Sequence, residues 1–342
     1  MRSTTANSFP SRLQTVPPFP PIATRLMSML AQRNVELARV AELISSDPMF
    51  SGRVLQFANS VEFGLLQPVH NVRHALAMLG LERTRSITLT AATAAYSRAA
   101  LRTAELRRCW QHTVATAVLS EELSRSCHQF TESAYAAGLM HDVGRLGLLV
   151  AYPVEYEETI RGCATQCLDL LDFERETFGV DHAEAGRWLA ERWKLPDEFR
   201  LIAGRHHDPC EGTEVSLLKL VHLACRLADL FEYDVTKPLK PPNFEELMKL
   251  LPEPAQEDFM RRIDAIYDRM KTAVHGFDQD QPDAPPPELS SLPVLVPREE
   301  RYIEPKFEAV ETEAQVREST PPRRGLAARL YSWLRWFLRG HR

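Results

Sequence analysis

Seven side chains between residues 112 and 229 could act together: His112, the adjacent His141 and Asp142, His182, the adjacent His206 and His207, and Asp229. Imidazole nitrogens and carboxylate oxygens in one set suit iron, manganese or zinc, and Asp142, with two oxygens, could bridge two ions. Two ions would clamp a phosphate ester and lower the pKa of a bound water, which is the chemistry of phosphate-ester hydrolysis. Each residue alone has a plainer role. His112 could satisfy a buried hydrogen bond. Asp142 could cap the turn that follows it, with Gly144 supplying an unusual backbone angle. His206 and His207 could close a helix end, where the dipole favours a cation. The ordered recurrence of all seven points instead to a common centre, either a metal site or an inherited polar network.

The segments that must position these groups read as helices. "AELRRCWQHTVATAVLSEELSRS" carries His112, "AEAGRWLAERWK" follows His182, and "VSLLKLVHLACRLADLFEY" carries Asp229. Upstream, "VELARVAELISS" repeats apolar residues at helical spacing, and "NVRHALAMLG" runs from an Asn71 cap to Gly80, a natural stop. No strand-like alternation separates them, which predicts an all-α fold. A chain of 342 residues, 44% hydrophobic, is long enough for more than one packed unit. The expected division is a flexible N-terminus at 1–13, an N-terminal helical bundle at 14–105, and a helical lobe carrying the histidines at 106–275. An acidic, proline-rich disordered linker follows at 276–322, then a terminal helix at 323–342.

Composition removes several function classes. With 14 glycines and neither GxGxxG nor GxxxxGK[ST], dinucleotide-binding and P-loop readings start weak. No apolar run reaches the roughly 18 residues a membrane span needs. Six cysteines in helical-looking segments, with no signal peptide before them, fit reduced thiols and a cytoplasmic location. The closest pair, Cys163 and Cys167, lacks the second pair that a structural zinc site requires, so packing explains it.

The order His112, His141-Asp142, Asp229 resembles the HD superfamily of metal-dependent phosphohydrolases, and His182, His206 and His207 look like the second-metal set of its HD-GYP phosphodiesterases. A longer resemblance, over roughly residues 14–235, is to the HDOD domain family: "FPPIATRLMSML", "ELARVAELISSDPMFSGRVLQFANSVEFG", "PVHNVRHALAMLGLERTRSITL", "LMHDVGRLGLL" and "FGVDHAEAGRWLAERWKLP" all look like its pattern. The resemblance implies an HD-like all-helical fold and a bacterial signalling or regulatory role, exercised by binding partner proteins or a small ligand without catalysis. The alternative it carries is an HD-type phosphohydrolase acting on phosphomonoesters, nucleotides or cyclic dinucleotides, with iron, manganese or zinc as cofactor. Two departures count against that alternative. Arg145 stands where the HD-GYP pattern HDxGK has lysine, and "HHDPCEGTEVS" contains no GYP triplet. The first matters because guanidinium is planar and always charged, whereas lysine is compact and can change protonation state.

Charge is unevenly distributed. Residues 277–322 hold 11 acidic against 4 basic residues and 9 prolines, too polar to offset the entropy of ordering. Residues 323–342 hold 6 arginines and no acid. Projected as a helix, Leu326, Leu330, Trp333, Leu334 and Phe337 share one face, with Arg324, Arg335 and Arg339 on the other, a pattern suited to an anionic inner-membrane surface or to a groove on a partner. The slightly acidic body, without a recognition helix, argues against nucleic acid.

Overall fold

The computed structural model describes residues 10–17, 36–47, 68–97, 103–131, 133–166, 168–210 and 212–278, together with residues 25, 26, 29, 51, 52, 54, 55, 58 and 59. Within them the chain is helical and no strand occurs. The acidic segment beyond residue 278 and the basic amphipathic helix expected at 323–342 lie outside the described residues.

The helix that carries His112, α4 (Ala104–Cys127), is buried on all sides from Thr113 through Ser120, because its threonines, alanines and valines are small enough to be enclosed from every direction. A helix enclosed all round belongs at the centre of a bundle. Thr103 starts it by accepting a hydrogen bond from the Leu106 N–H, and His128 ends it at φ 53°. Among the described residues, its most extensive packing is against α5 (Ala134–Met140), α11 (Leu217–Leu230) and α13 (Glu253–Asp278). Helix α6 (Val143–Ala151) leads through α7 (Pro153–Gln166) and α8 (Leu170–Phe178) to α9 (His182–Arg192), which returns to lie against α6 and against α10 (Asp197–Arg205). Short α12 (Phe244–Met248) covers one part of α11.

The N-terminal helices are tied to this layer. α1 (Ser11–Gln14) buries Leu13 and meets α6, while α2 (Leu37–Ser45) packs on α3 (Val72–Ser97). α3 in turn contacts α5, with the hydroxyls of Thr90 and Tyr135 hydrogen-bonded at 2.8 Å. All of these elements fall within one compact unit ending at Pro282. Asn71 caps α3 as expected, accepting from the His74 N–H at 2.7 Å. Gly80 interrupts the helix where a stop is expected: its φ of 74° is non-helical, and Val72–Ser97 is two helices joined across a kink at this residue.

Helix α13 is locked to α4 by ion pairs. Arg269 reaches Glu121 and Glu122 at 2.5 Å each, and Arg262 reaches Glu122 at 2.5 Å and Asp258 at 2.9 Å. Burial would raise the Glu122 carboxyl, but Arg269, Arg262 and Arg125 outweigh it and hold the group below its ordinary value. Glu122→Gln is expected to cost about 1–2 kcal/mol, less than a fully dry pair would lose, because Arg262 and Arg269 keep 31% and 28% of their surface in water. A carboxyl whose pKa is depressed on folding contributes fully above its unfolded value, and the contribution fades as pH falls through the folded one. The stability gap between wild type and variant, read from urea midpoints, therefore narrows below the ordinary value of 4.5. A gap independent of pH would exclude this pairing as its source.

Candidate metal centre

His141 ends α5 and Asp142 opens α6, so the pair sits at a helix junction with neither side chain exposed. Asp142 does not cap α6 with its carboxylate, contrary to its plainer expected role. Nor does Gly144 supply an unusual angle; it lies inside the helix where a Cβ would run into the His182 carbonyl and the Gly186 backbone of α9. This close approach of α6 to α9 is what brings His182 to Asp142, at 3.5 Å from Nε2 to Oδ1. α10 ends at the same point, placing His206 Nε2 at 3.4 Å from the same oxygen.

The imidazoles are oriented by hydrogen bonds on their Nδ1 edges. His112 donates to the Tyr233 carbonyl at 2.9 Å, His141 to Gly138 at 2.6 Å, and His206 to the Ile202 and Ala203 carbonyls at 3.2 Å. His182 donates to Glu174 Oε2 at 2.6 Å, and its backbone N–H reaches the same oxygen at 2.8 Å. A ring whose Nδ1 carries the proton offers a lone pair on Nε2, which is how metal-binding histidines are fixed. Burial depresses the pKa of His112, His141, His206 and His207, keeping these rings neutral. His206 thus fills two roles: it satisfies carbonyls at the end of α10 and still presents Nε2 inward.

Arg145 occupies the middle of the set, 4% exposed. Its Nε donates to Asp142 Oδ2 at 2.7 Å, and its Nη2 donates to His182 Nε2 at 3.0 Å. His182 Nε2 also lies 2.8 Å from His207 Nε2, so with its own Nδ1 protonated it accepts from His207 as well. Behind the guanidinium, Tyr156 donates to Glu174 Oε1 at 2.6 Å. Burial opposes ionisation of Asp142, yet the Arg145 guanidinium holds its carboxyl well below the ordinary range.

After these bonds are made, three buried atoms remain without a hydrogen-bond partner: His141 Nε2, Asp142 Oδ1 and His206 Nε2. A buried polar atom without a partner costs on the order of 1–3 kcal/mol, and two of the three, Asp142 Oδ1 and His206 Nε2, lie 3.4 Å apart, a pairing of acceptors that fits a cation. Donor atoms converge in two groups, one of Asp142, His182, His206 and His207 and one of His112, His141 and Cys225, each within 4.8 Å. Six of the seven expected residues are therefore brought together. Asp229 stands apart, 3.7 Å from the Nδ1 edge of His112 and paired with Arg226 at 3.1 Å. Burial, only partly offset by Arg226, pushes the Asp229 carboxyl up to about 7. A cavity of about 110 Å³ gives access from the surface, bordered by His112, Arg145, His182, His207, Cys225 and Asp229.

The profile of the HDOD domain matches residues 16–209, more than half of the chain. The chain belongs to the HDOD family. An HDOD domain protein of Geobacter sulfurreducens, of unknown function, superposes with a TM-score of 0.66 at 20% identity, over 76% of this chain and 93% of that one. A protein of Shewanella amazonensis SB2B provisionally named a phosphohydrolase gives 0.57 at 22% identity, over 77% and 98%. A Marinobacter aquaeolei VT8 protein provisionally named for signal transduction gives 0.62 at 21%, over 78% and 60%. At these identities the likeness is one of fold. An uncharacterized protein of Treponema pallidum (strain Nichols) is 23% identical over 241 residues, and the match spans 66% of this HDOD chain and 45% of that relative. Among the described residues, no helix is long and apolar enough to cross a membrane.

Three features of this HDOD site are absent from the sequence reading: Glu174, Tyr156 and Cys225. Glu174 is buried and eight residues before His182, a spacing with no motif attached. The sign that could have found it is chemical: an acid on α8, with a capped turn and a short link to α9, is well placed to hold the first histidine of α9.

Proposed function

We propose that this chain is a regulatory HDOD protein that binds and does not turn over, its buried cluster a ligand-responsive joint between α6, α9 and α10. The observation that supports this most is the guanidinium of Arg145. A two-ion hydrolytic centre would use both oxygens of Asp142 and the Nε2 of His182, and Arg145 already donates to one of those oxygens and to that nitrogen. Of the leftover atoms, Asp142 Oδ1 and His206 Nε2 lie 3.4 Å apart and fit a single ion, while His141 belongs to the other donor group, with His112 and Cys225. Iron, manganese or zinc bound there would supply Lewis acidity; the chain's own part is to hold the imidazoles by their Nδ1 edges and to keep Asp142 charged.

Purified untagged protein with Mn²⁺ or Fe²⁺ is expected to leave phosphomonoesters, nucleotides and cyclic dinucleotides intact. Hydrolysis that disappears in Asp142→Ala would overturn this in favour of an HD-type phosphohydrolase.

Signalling through such a joint needs a partner, and we place partner recognition on the folded body. The basic segment at 323–342 would bring it to an anionic membrane surface, where each arginine adds about 1 kcal/mol. Full-length protein should cosediment with anionic vesicles and a chain ending at residue 322 should not; equal sedimentation rules the membrane role out.

A further inference from the structure

Cys225 lies outside the His, His-Asp, Asp pattern, one turn before Asp229 on α11, and is 3% exposed. Buried cysteines in helices commonly pack as small apolar groups or point back at a carbonyl of their own helix. Cys109 on α4 does the latter, its Sγ 4.0 Å from the Glu105 carbonyl. Cys225 instead reaches across to a different helix, with its Sγ 3.5 Å from His112 Nε2. Since His112 spends its Nδ1 proton on the Tyr233 carbonyl, Nε2 is the acceptor and the thiol the donor.

On the other side of this pair stands His141, whose Nε2 is wholly buried and has no hydrogen-bond partner. The His112 and His141 rings are 5.4 Å apart, and one ring nitrogen of each and the Cys225 sulfur all lie within 4.8 Å of one another; with both Nδ1 atoms spent on carbonyls, Nε2 is the nitrogen left to bind. None of the three bonds to Arg145, whose hydrogen bonds go to Asp142, His182 and Tyr156. The cavity borders His112 and Cys225, giving an ion a route inward.

We propose that His112 Nε2, His141 Nε2 and the Cys225 sulfur form a thiolate-containing site for a zinc-class cation. Thiolate is a soft ligand and selects zinc over manganese or magnesium, while three protein ligands beside a cavity leave a further position for water or a small ligand. On binding, the divalent ion forms a bond to sulfur, the S–H bond breaks, and its proton leaves to solvent; no electron is transferred. The assignment holds whether or not the protein hydrolyses anything.

Cobalt(II) titrated into untagged full-length protein tests it, because a cobalt–thiolate bond absorbs in the near ultraviolet and cobalt bound by nitrogen and oxygen alone does not. The expected result is a charge-transfer band that saturates at one equivalent, persists in Cys109→Ser and is lost in Cys225→Ser. Zinc affinity of Cys225→Ser, measured against a chromophoric chelator, should fall by at least about ten-fold, since losing a ligand costs no less than losing the group that orients one. Cobalt binding without the band, no cobalt binding at all, or unchanged zinc affinity in Cys225→Ser overturns the proposal. If Cys225→Ser does not fold, the wild-type spectrum decides the matter by the presence or absence of the band.

Discussion

Replacing Arg145 by methionine is expected to lower folding stability by about 3–5 kcal/mol, the loss that follows when one partner of a buried charge pair is removed. The side chain is 4% exposed, and the carboxylates it balances, Asp142 and Glu174, are fully buried. Glu174 would keep three donors: the His182 Nδ1–H, the His182 backbone N–H and the Tyr156 hydroxyl. Asp142 would keep none at Oδ2, the oxygen that now accepts from Arg145 Nε at 2.7 Å. Most of the loss therefore falls on Asp142. If the guanidinium stands where a second cation would, its removal also frees Asp142 Oδ2 as a ligand and leaves His182 Nε2 with His207 alone to displace. Added Mn²⁺ or Zn²⁺ should then raise the urea midpoint of the variant more than that of wild type, with about 2.7 kcal/mol regained at a hundredfold excess over the dissociation constant. A variant as stable as wild type would show that Asp142 does not depend on Arg145. A loss that no divalent ion repairs would sink the idea that the guanidinium takes an ion's position.

The same residue marks the boundary of what could be read from sequence. Helical periodicity located α4, α9 and α11 closely, because each buries a face and begins at a capping residue: Thr103, Asp181 and Ser216. The set of histidines was legible because their order along the chain survives folding. What Arg145 does was not, since its difference from lysine becomes an effect only once α6 and α9 place Asp142 and His182 on either side of it. Asp229 shows the limit from the other side: helical spacing puts Cys225 and Asp229 on one face of α11, and only the rotation of that helix against α4 decides that sulfur meets Nε2 of His112 while the carboxylate lies by Nδ1. Helix rotation depends on packing along the entire α4–α11 contact and leaves no mark at a single position.

Gly144→Ala tests the packing on which the centre rests, and elementary propensity gives it the wrong sign. In an exposed helix the change would add about 1 kcal/mol of stability. In α6 the new methyl would collide with the His182 carbonyl and with the Gly186 backbone, so either α6 and α9 move apart or the methyl is not accommodated. Forcing extra volume into a packed interior costs about 1–3 kcal/mol, and the upper end applies where the obstruction is backbone, which cannot swing aside as a side chain can. The expected net result is a loss of about 2 kcal/mol in the urea midpoint. His182 is the first residue of α9, so separation also draws its Nε2 from Asp142 and Arg145, and metal affinity should fall with stability. Gly52→Ala is the control, because a methyl there meets nothing within 4 Å and should give the ordinary helix gain of about 1 kcal/mol while leaving metal affinity unchanged. Should Gly144→Ala prove more stable than wild type with metal binding intact, α6 and α9 need not touch to build the centre, and the close approach would lose its functional meaning.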